Sequence, residues 1–194
     1  CDASTVGNVD LDLINLEKGF FKNNILENLK NNQYEIVFLV GQDNLIFNKT
    51  NEFVVYIGSH GDKGAEKADV ILPGSAYTEQ SGYFTNLEGR LQKAYKASYP
   101  PNQSKEDWEI INNLAEQMNN RKLFNDKDEL ESSMLNYLKL KKEKNKTPEI
   151  SVSNFVDEII NIKVKDYYFS NVIARSSKTM VECNNSKIEI KKTG

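Results

Sequence analysis

The chain reads as an α/β protein: a partial domain built on a parallel sheet, followed by a helical C-terminal region and an irregular tail. Three observations predict this. Apolar runs at Ile36–Val40 (IVFLV), within Glu52–Ser59 (FVVYIG) and within Ala68–Gly74 (VILP) each stop at glycine or proline. Runs of this kind mark strands buried on both faces, as in a parallel sheet with helices on either side and loops at the strand C-terminal ends. Pro100-Pro101 then breaks the chain, and the apolar residues beyond it fall at helical spacing.

Taken in order, Leu11, Leu13, Ile14, Leu16, Phe20 and Phe21 precede a short helix in NNILENLKNN. Asn23-Asn24 supplies its N-cap and its end falls near Asn31. The three strands follow. From Tyr77 to Tyr99 the apolar pattern weakens while Tyr, Thr and Gly rise, which predicts an extended, wandering connection. After the prolines, Ser104 reads as the N-cap of a helix, with Asp107 in the acidic position of a capping box. Trp108, Ile111, Leu114, Ala115 and Met118 form that helix's apolar face. A further helix is expected from Asp126 to about Lys144, with Leu130, Met134, Leu135 and Leu138 inward. Thr147-Pro148 reads as a linker, SVSNFVDEIINI as helical, and DYYFSNVIARSSKTMVEC as a polar, irregular tail. The resulting domains are 1–100, the α/β portion; 101–147, a helical extension; and 148–194, a C-terminal helix with an extended tail.

Composition excludes several classes. Hydrophobic content of 39% and charged content of 27% are those of a globular protein. The net charge of −3, with signs interspersed, does not make a nucleic-acid surface. The dense basic run Lys139 to Lys146 reads as a solvated helix end or linker. Cys1 and Cys183, far apart, cannot make a zinc or iron–sulfur site, and so few cysteines in a chain of this length point to a reducing compartment. No apolar run approaches the ~20 residues that span a bilayer. The absence of an initiator Met and of a presequence is read as an expectation that the chain is a processed product or a piece of something larger. Lys far outnumbers Arg (Arg90, Arg121 and Arg175), and Asn and Ile abound, the bias of an A+T-rich genome.

Candidate chemistry concentrates between Tyr56 and Arg90. His60, the single histidine, lies between glycines at a strand C-terminus, where α/β enzymes place ligand contacts; the alternative is a loop histidine bonded to nearby backbone. Without a second His or a nucleophile elbow the loop role is favoured. Gly58, Gly61 and Gly64 match no dinucleotide fingerprint or P-loop and read as tight-turn residues. Asp62, Asp69, Glu79 and Glu88 include enough acids for a general acid/base pair. Arg90 offers a planar fork for a carboxylate, so an internal clamp with Glu79 or Glu88 is the simpler expectation. No catalytic, cofactor-binding or metal-binding residue is assigned.

The run G-S-H-G-D-K-G-A-E-K-A-D-V-I-L-P-G-S-A-Y-T-E-Q-S-G-Y-F-T-N-L-E-G-R resembles the C-terminal part of the large iron–sulfur subunit of respiratory complex I (NADH:ubiquinone oxidoreductase), within the wider molybdopterin oxidoreductases. Pro100-Pro101 followed by SKEDWEII is similar to that subunit's P-P-x-x-x-x-E-D-W-x-I-I element. Asp166 to Phe169 and Ile173 to Met180 are similar to its mitochondrial and alphaproteobacterial tail. On this resemblance Gly58, His60, Gly61, Asp62, Pro73, Gly74, Glu79, Gly82, Asn86, Glu88, Gly89 and Arg90 form a structural signature.

The resemblance implies a partial sheet of molybdopterin oxidoreductase type and a structural, non-catalytic piece of an enzyme that passes electrons from NADH to ubiquinone. It implies no cofactor in this chain: iron–sulfur clusters belong to the partner N-terminal portion and molybdopterin is absent. The implied partners are that cluster-bearing portion as a separate chain and other peripheral-arm subunits, with no nucleic acid and no membrane span of its own. The implied place is the matrix side of the mitochondrial inner membrane, or the cytoplasmic face of a bacterial inner membrane. Two rival readings are a pterin-binding part of a molybdenum-dependent oxidoreductase of formate dehydrogenase type and an independent small-molecule-binding module.

Overall fold

A computed structural model describes residues 5–13, 25–144 and 167–192. The chain divides into two units, residues 1–146 and 147–194.

The first unit is organised by three parallel strands, β1 (Ile36–Val40), β2 (Phe53–Gly58) and β3 (Val70–Pro73), in the order β1-β2-β3. Ile36 lies opposite Phe53 and Val40 opposite Ile57; Val55 lies opposite Val70 and Gly58 opposite Pro73. The central strand alternates between two cores. Val54 and Tyr56 join Leu29, Leu39 and Phe47 on one face, while Val55 and Ile57 meet Ile110 and Leu72 on the other. Full burial of Val54, Tyr56 and Ile57 stabilises the unit by about 1.5–3 kcal/mol for each side chain of this size.

The outer strands do not share the expected burial on both faces. In β1, Leu39 is buried but Ile36, Phe38 and Val40 are exposed; in β3, Val70 and Ile71 are exposed. The cause is position: both are edge strands, and the described helices cover the Val55/Ile57 face only near Ile110.

Helix α1 (Thr5–Asp10) opens the unit, and α2 (Ile25–Lys30) carries Leu29 into the core. A six-residue helix is not stable by propensity alone, so this contact holds α2 in place. It ends where expected, with Asn32 in the left-handed region and Gln33 N–H donating to the Asn28 carbonyl. Its expected caps Asn23 and Asn24 lie outside the described residues. After β2, a loop leads into one helical turn, α3 (Lys63–Glu66), and then β3.

Part of the region expected to wander is an antiparallel hairpin, β4 (Gly82–Thr85) with β5 (Leu91–Ala94), Thr85 lying opposite Leu91. Helix α4 (Asp107–Asn119) starts later than the Ser104 cap implies: its cap residue is Glu106, which makes no side-chain capping bond. The helix cannot start at Ser104 because Lys105, which would be its first residue, is held in a parallel bridge to Gly74 and donates its N–H to the Pro73 carbonyl. On α4, Ile110 and Asn112 are buried, whereas Ile111 and Met118, both expected inward, are exposed.

Helix α5 (Lys127–Lys144) begins with a reciprocal cap: Asp126 accepts from the Glu129 N–H, and Glu129 accepts from the Asn125 N–H. Leu130, Met134 and Leu138 are half-buried as expected, and Leu135 is exposed. Lys141 on α5 donates to the Val9 and Asp10 carbonyls and to Asp12, closing the C-terminal end of α1.

In the second unit a 3-10 turn (Tyr167–Phe169) is followed by α6 (Val172–Ser176) and α7 (Lys178–Lys192). Asn171 caps α6 by accepting from the Ala174 N–H, and Arg175 donates to the Phe169 carbonyl. The described part of the tail is therefore helical rather than irregular. The helix expected in SVSNFVDEIINI lies outside the described residues.

Candidate functional site

The signature residues fall into two groups, Gly58 to Asp62 with Pro73, Gly74 and Glu79 at and just after the C-terminal ends of β2 and β3, and Gly82 with Asn86 to Arg90 in the hairpin and its turn. Tyr56, buried in β2, donates its hydroxyl to the His60 carbonyl at 2.7 Å and ties the Gly58–Asp62 loop to the core. A Cβ on Gly58 would overlap the Tyr56 ring and hydroxyl, and one on Gly64 would overlap the Gln42 carbonyl. These two glycines are required for close approach. Around Gly61 and Gly82 there is open space, and neither has a positive φ, so nothing in the structure explains glycine there.

The acids are distributed rather than paired. Asp62 caps α3 by accepting from the Lys63 N–H at 2.8 Å. Asp69 accepts from Lys49 at 2.5 Å and from the Val54 N–H at 2.7 Å, joining the start of β3 to β2. The Lys49 bond, helped by the Val54 N–H, holds the Asp69 carboxyl below its ordinary value. Glu79 accepts from the Ala76 N–H and donates its own N–H to the Ala76 carbonyl, closing a turn after β3.

The expected Arg90 clamp is not made: among the described residues Arg90 pairs with neither Glu79 nor Glu88. An asparagine holds that turn instead. Asn86 Oδ1 accepts from the Glu88 and Arg90 N–H groups at 3.0 and 2.8 Å, and Gly89 takes a φ of +79°. Short side-chain-to-backbone bonds of this kind need no second charged partner, which leaves Arg90 and Glu88 facing solvent.

His60 contacts the Ser59 hydroxyl through Nδ1 at 3.0 Å, on an exposed loop. No described carboxylate orients its other nitrogen, so the pair lacks the third member of a nucleophile–base arrangement. Among the described residues no three His, Cys, Asp or Glu side chains are grouped to hold a metal ion; Cys183 is exposed on α7 and Cys1 lies outside them.

One carboxylate does not play the capping role that its sequence position predicts. Asp107, at the start of α4, has its Oδ1 buried without a hydrogen-bond partner, 2.5 Å from where a Gly74 Cβ would stand. Burial, and then the Glu106 charge, push its pKa up. Nearby Ser75 also has a buried, unpartnered hydroxyl. Glu106 is drawn away to Lys127, which also donates to the Ser81 carbonyl and so links α5 to the segment entering the hairpin.

The family model for molybdopterin oxidoreductase matches residues 3–117, the whole of the sheet, the hairpin and most of α4. The chain belongs to the molybdopterin oxidoreductase family. Its second part, residues 129–183, matches the model for the C-terminal region of the G subunit of NADH-ubiquinone oxidoreductase. It is 37% identical to the NADH-ubiquinone oxidoreductase 75 kDa subunit of Reclinomonas americana, over 94% of this chain and 27% of that protein. It is 39% identical to the G subunit of the NADH-quinone oxidoreductase of Rickettsia bellii, over 82% of this chain and 24% of that protein. With the mitochondrial NADH-ubiquinone oxidoreductase 78 kDa subunit of Candida albicans the figures are 36%, 77% and 23%. Within the molybdopterin oxidoreductase family the chain is thus the counterpart of the C-terminal part of the complex I large subunit, as the motifs indicated. It spans about a quarter of the length of these relatives.

The family name raises the question of whether these residues fit a pterin cofactor. A pyranopterin phosphate calls for free backbone N–H groups or an Arg or Lys fork beside open glycines. Here the ground beside Gly58, Gly64 and Gly74 is filled by Tyr56, by Gln42 and by Asp107, the last a carboxylate. At Gly58, Gly64 and Gly74 there is therefore no room for such a group, whereas Gly61 and Gly82 border open space.

Proposed function

We propose that this chain is a structural, non-catalytic part of the large iron–sulfur subunit of complex I, completing its molybdopterin oxidoreductase-like domain in the peripheral arm. The single observation carrying this reading is what the acids between Tyr56 and Glu79 do. Asp62 caps a helix, Asp69 bridges two strands and Glu79 closes a turn, while three glycines are packed against the protein's own atoms. Of the signature residues, Gly58, Asp62, Gly74, Glu79, Asn86 and Gly89 then act as a folding device. In this reading the clusters that carry electrons from NADH toward ubiquinone lie in the N-terminal portion of the subunit, and molybdopterin is absent. The chain binds that portion and neighbouring peripheral-arm subunits, on the matrix side of the mitochondrial inner membrane. Among the described residues no helix is long and apolar enough to cross a membrane. Residues 1–100 serve as the α/β portion, 101–147 as its helical extension and 148–194 as the tail.

Native purification of the tagged full chain tests this. Co-purification with iron–sulfur-containing complex I subunits, without molybdenum or tungsten, is the expected result. Stoichiometric molybdenum or tungsten bound to the chain would overturn the non-catalytic reading.

A further inference from the structure

Two edges bound the parallel sheet, and they are not equivalent. At β3, Pro73 has no N–H to offer, its carbonyl accepts from the Lys105 N–H, and Gly74 pairs with Lys105. At β1 nothing comparable is present among the described residues. Phe53 N–H donates to the Glu35 carbonyl, and Gly41 N–H donates to the Ile57 carbonyl. In a parallel ladder with this register, the odd-numbered residues of β1 bond to β2. The N–H and C=O groups of Ile36, Phe38 and Val40 therefore point to the edge that no described strand covers.

Their side chains are 57%, 45% and 40% exposed, and the strand IVFLV contains no charge, proline or bulge to discourage pairing. An apolar edge left in this condition is an aggregation template unless something covers it. Beside it runs an apolar groove of about 380 Å³, lined by Ile25 and Leu29 of α2, by Leu45 and by β1 itself.

We propose that β1 is a docking edge for an extended apolar segment of the N-terminal, cluster-bearing portion of the large subunit. That segment adds as a fourth strand and seats an alternate side chain in the groove between α2 and β1. Its main chain satisfies the outward groups of Ile36, Phe38 and Val40, as in strand-addition complexes. Parallel addition extends the existing pattern, because parallel sheets are built with strands buried on both faces. A two-fold dimer of this chain through β1 would instead bring antiparallel edges together. The span of only about a quarter of the relatives' length leaves ample chain in the subunit to supply the segment. This inference rests on the assembly reading above and specifies its contact.

Hydrogen–deuterium exchange resolved to single amides tests it, on the full chain alone and bound to a co-expressed N-terminal portion of the subunit. Binding is expected to slow the Ile36, Phe38 and Val40 amides on the order of 100-fold. The Val37 and Leu39 amides, already bonded to β2, change far less. Phe38→Pro removes one outward N–H without touching the β1–β2 ladder, and is expected to weaken binding about tenfold or more. Leu87→Lys, on the exposed hairpin turn, leaves binding unchanged. Binding with the three edge amides still exchanging at their free rate overturns the inference while leaving the assembly reading intact. Slow exchange in the chain alone, together with a dimer in sedimentation, overturns it in favour of a second copy. Failure of the wild-type chain to bind the N-terminal portion overturns the assembly reading and this inference with it. The wild-type exchange comparison stands even where Phe38→Pro does not fold.

Discussion

Replacing Asn112 with alanine removes a single buried amide that organises the connection between α4 and α5. The Asn112 side chain is 6% exposed. Its Oδ1 accepts from the Leu123 and Phe124 N–H groups at 2.8 and 3.1 Å, and its Nδ2 donates to the Phe124 carbonyl at 2.8 Å. Each such bond contributes about 0.5–1.5 kcal/mol net, so three set a range of roughly 1.5–4.5 kcal/mol. Leu123 is exposed and Phe124 half-buried, so water can reach part of what is uncovered, and the expected loss falls near the low end, about 2 kcal/mol. For a unit of this size that corresponds to a melting temperature lower by roughly 6 °C. Thermal unfolding of the full chain measures the global effect, and exchange of the Leu123 and Phe124 amides measures the local one. Asn112→Asp is expected to be no better: both acceptors survive, but a charge is buried and the Phe124 carbonyl loses its donor. A melting temperature within about 1 °C of wild type, with both amides still protected, would refute the reasoning.

Other positions carry sharp expectations. Gly64→Ala places a methyl group against the Gln42 backbone carbonyl, which cannot swing away, and is expected to cost about 1–3 kcal/mol in urea denaturation; a neutral result would mean that the α3 turn shifts freely. Asp107 has a raised pKa, so its native form holds its proton more tightly than the unfolded chain and stability falls as pH rises through that range. Asp107→Asn should therefore match or exceed wild-type stability at pH 7 and flatten that slope; an Asn variant that is weaker at pH 7 with an unchanged slope contradicts this. Asp69 behaves oppositely: its lowered pKa gives stability that is present above the unfolded value and lost as pH falls through the folded one. Lys49→Met should raise the Asp69 titration midpoint seen by NMR toward 3.8, and an unmoved midpoint would show that the Val54 N–H alone sets it.

Much of the fold was legible because its strands announce themselves. The runs IVFLV and FVVYI, closed by glycine, and VIL, closed by proline, have few stable destinations other than a parallel sheet. What stayed hidden depended on neighbours. The exposure of Ile36, Phe38 and Val40 reflects what lies beside β1, which the pattern IVFLV does not contain. The hairpin escaped because its strands are four residues long and its turn runs from Asn86 to Arg90, without the two-residue signal that marks tight hairpins. Ser104 is a good cap by type, but the backbone of Lys105 beside it is taken by Pro73 and Gly74. The Arg90 clamp failed because a fork and a carboxylate in the same stretch need not face each other, whereas Asn86 reaches its own turn without help. Asn112 carried one readable signal: a polar residue four positions after Trp108, on a face otherwise turned inward.

The most direct test of the account is native gel separation of membranes from cells expressing the tagged full chain, with identification of the proteins that migrate with it. The account predicts that the chain travels in a large assembly that oxidises NADH and contains the cluster-bearing portion of the large subunit. A chain that migrates alone, or with partners that lack those clusters, would contradict it.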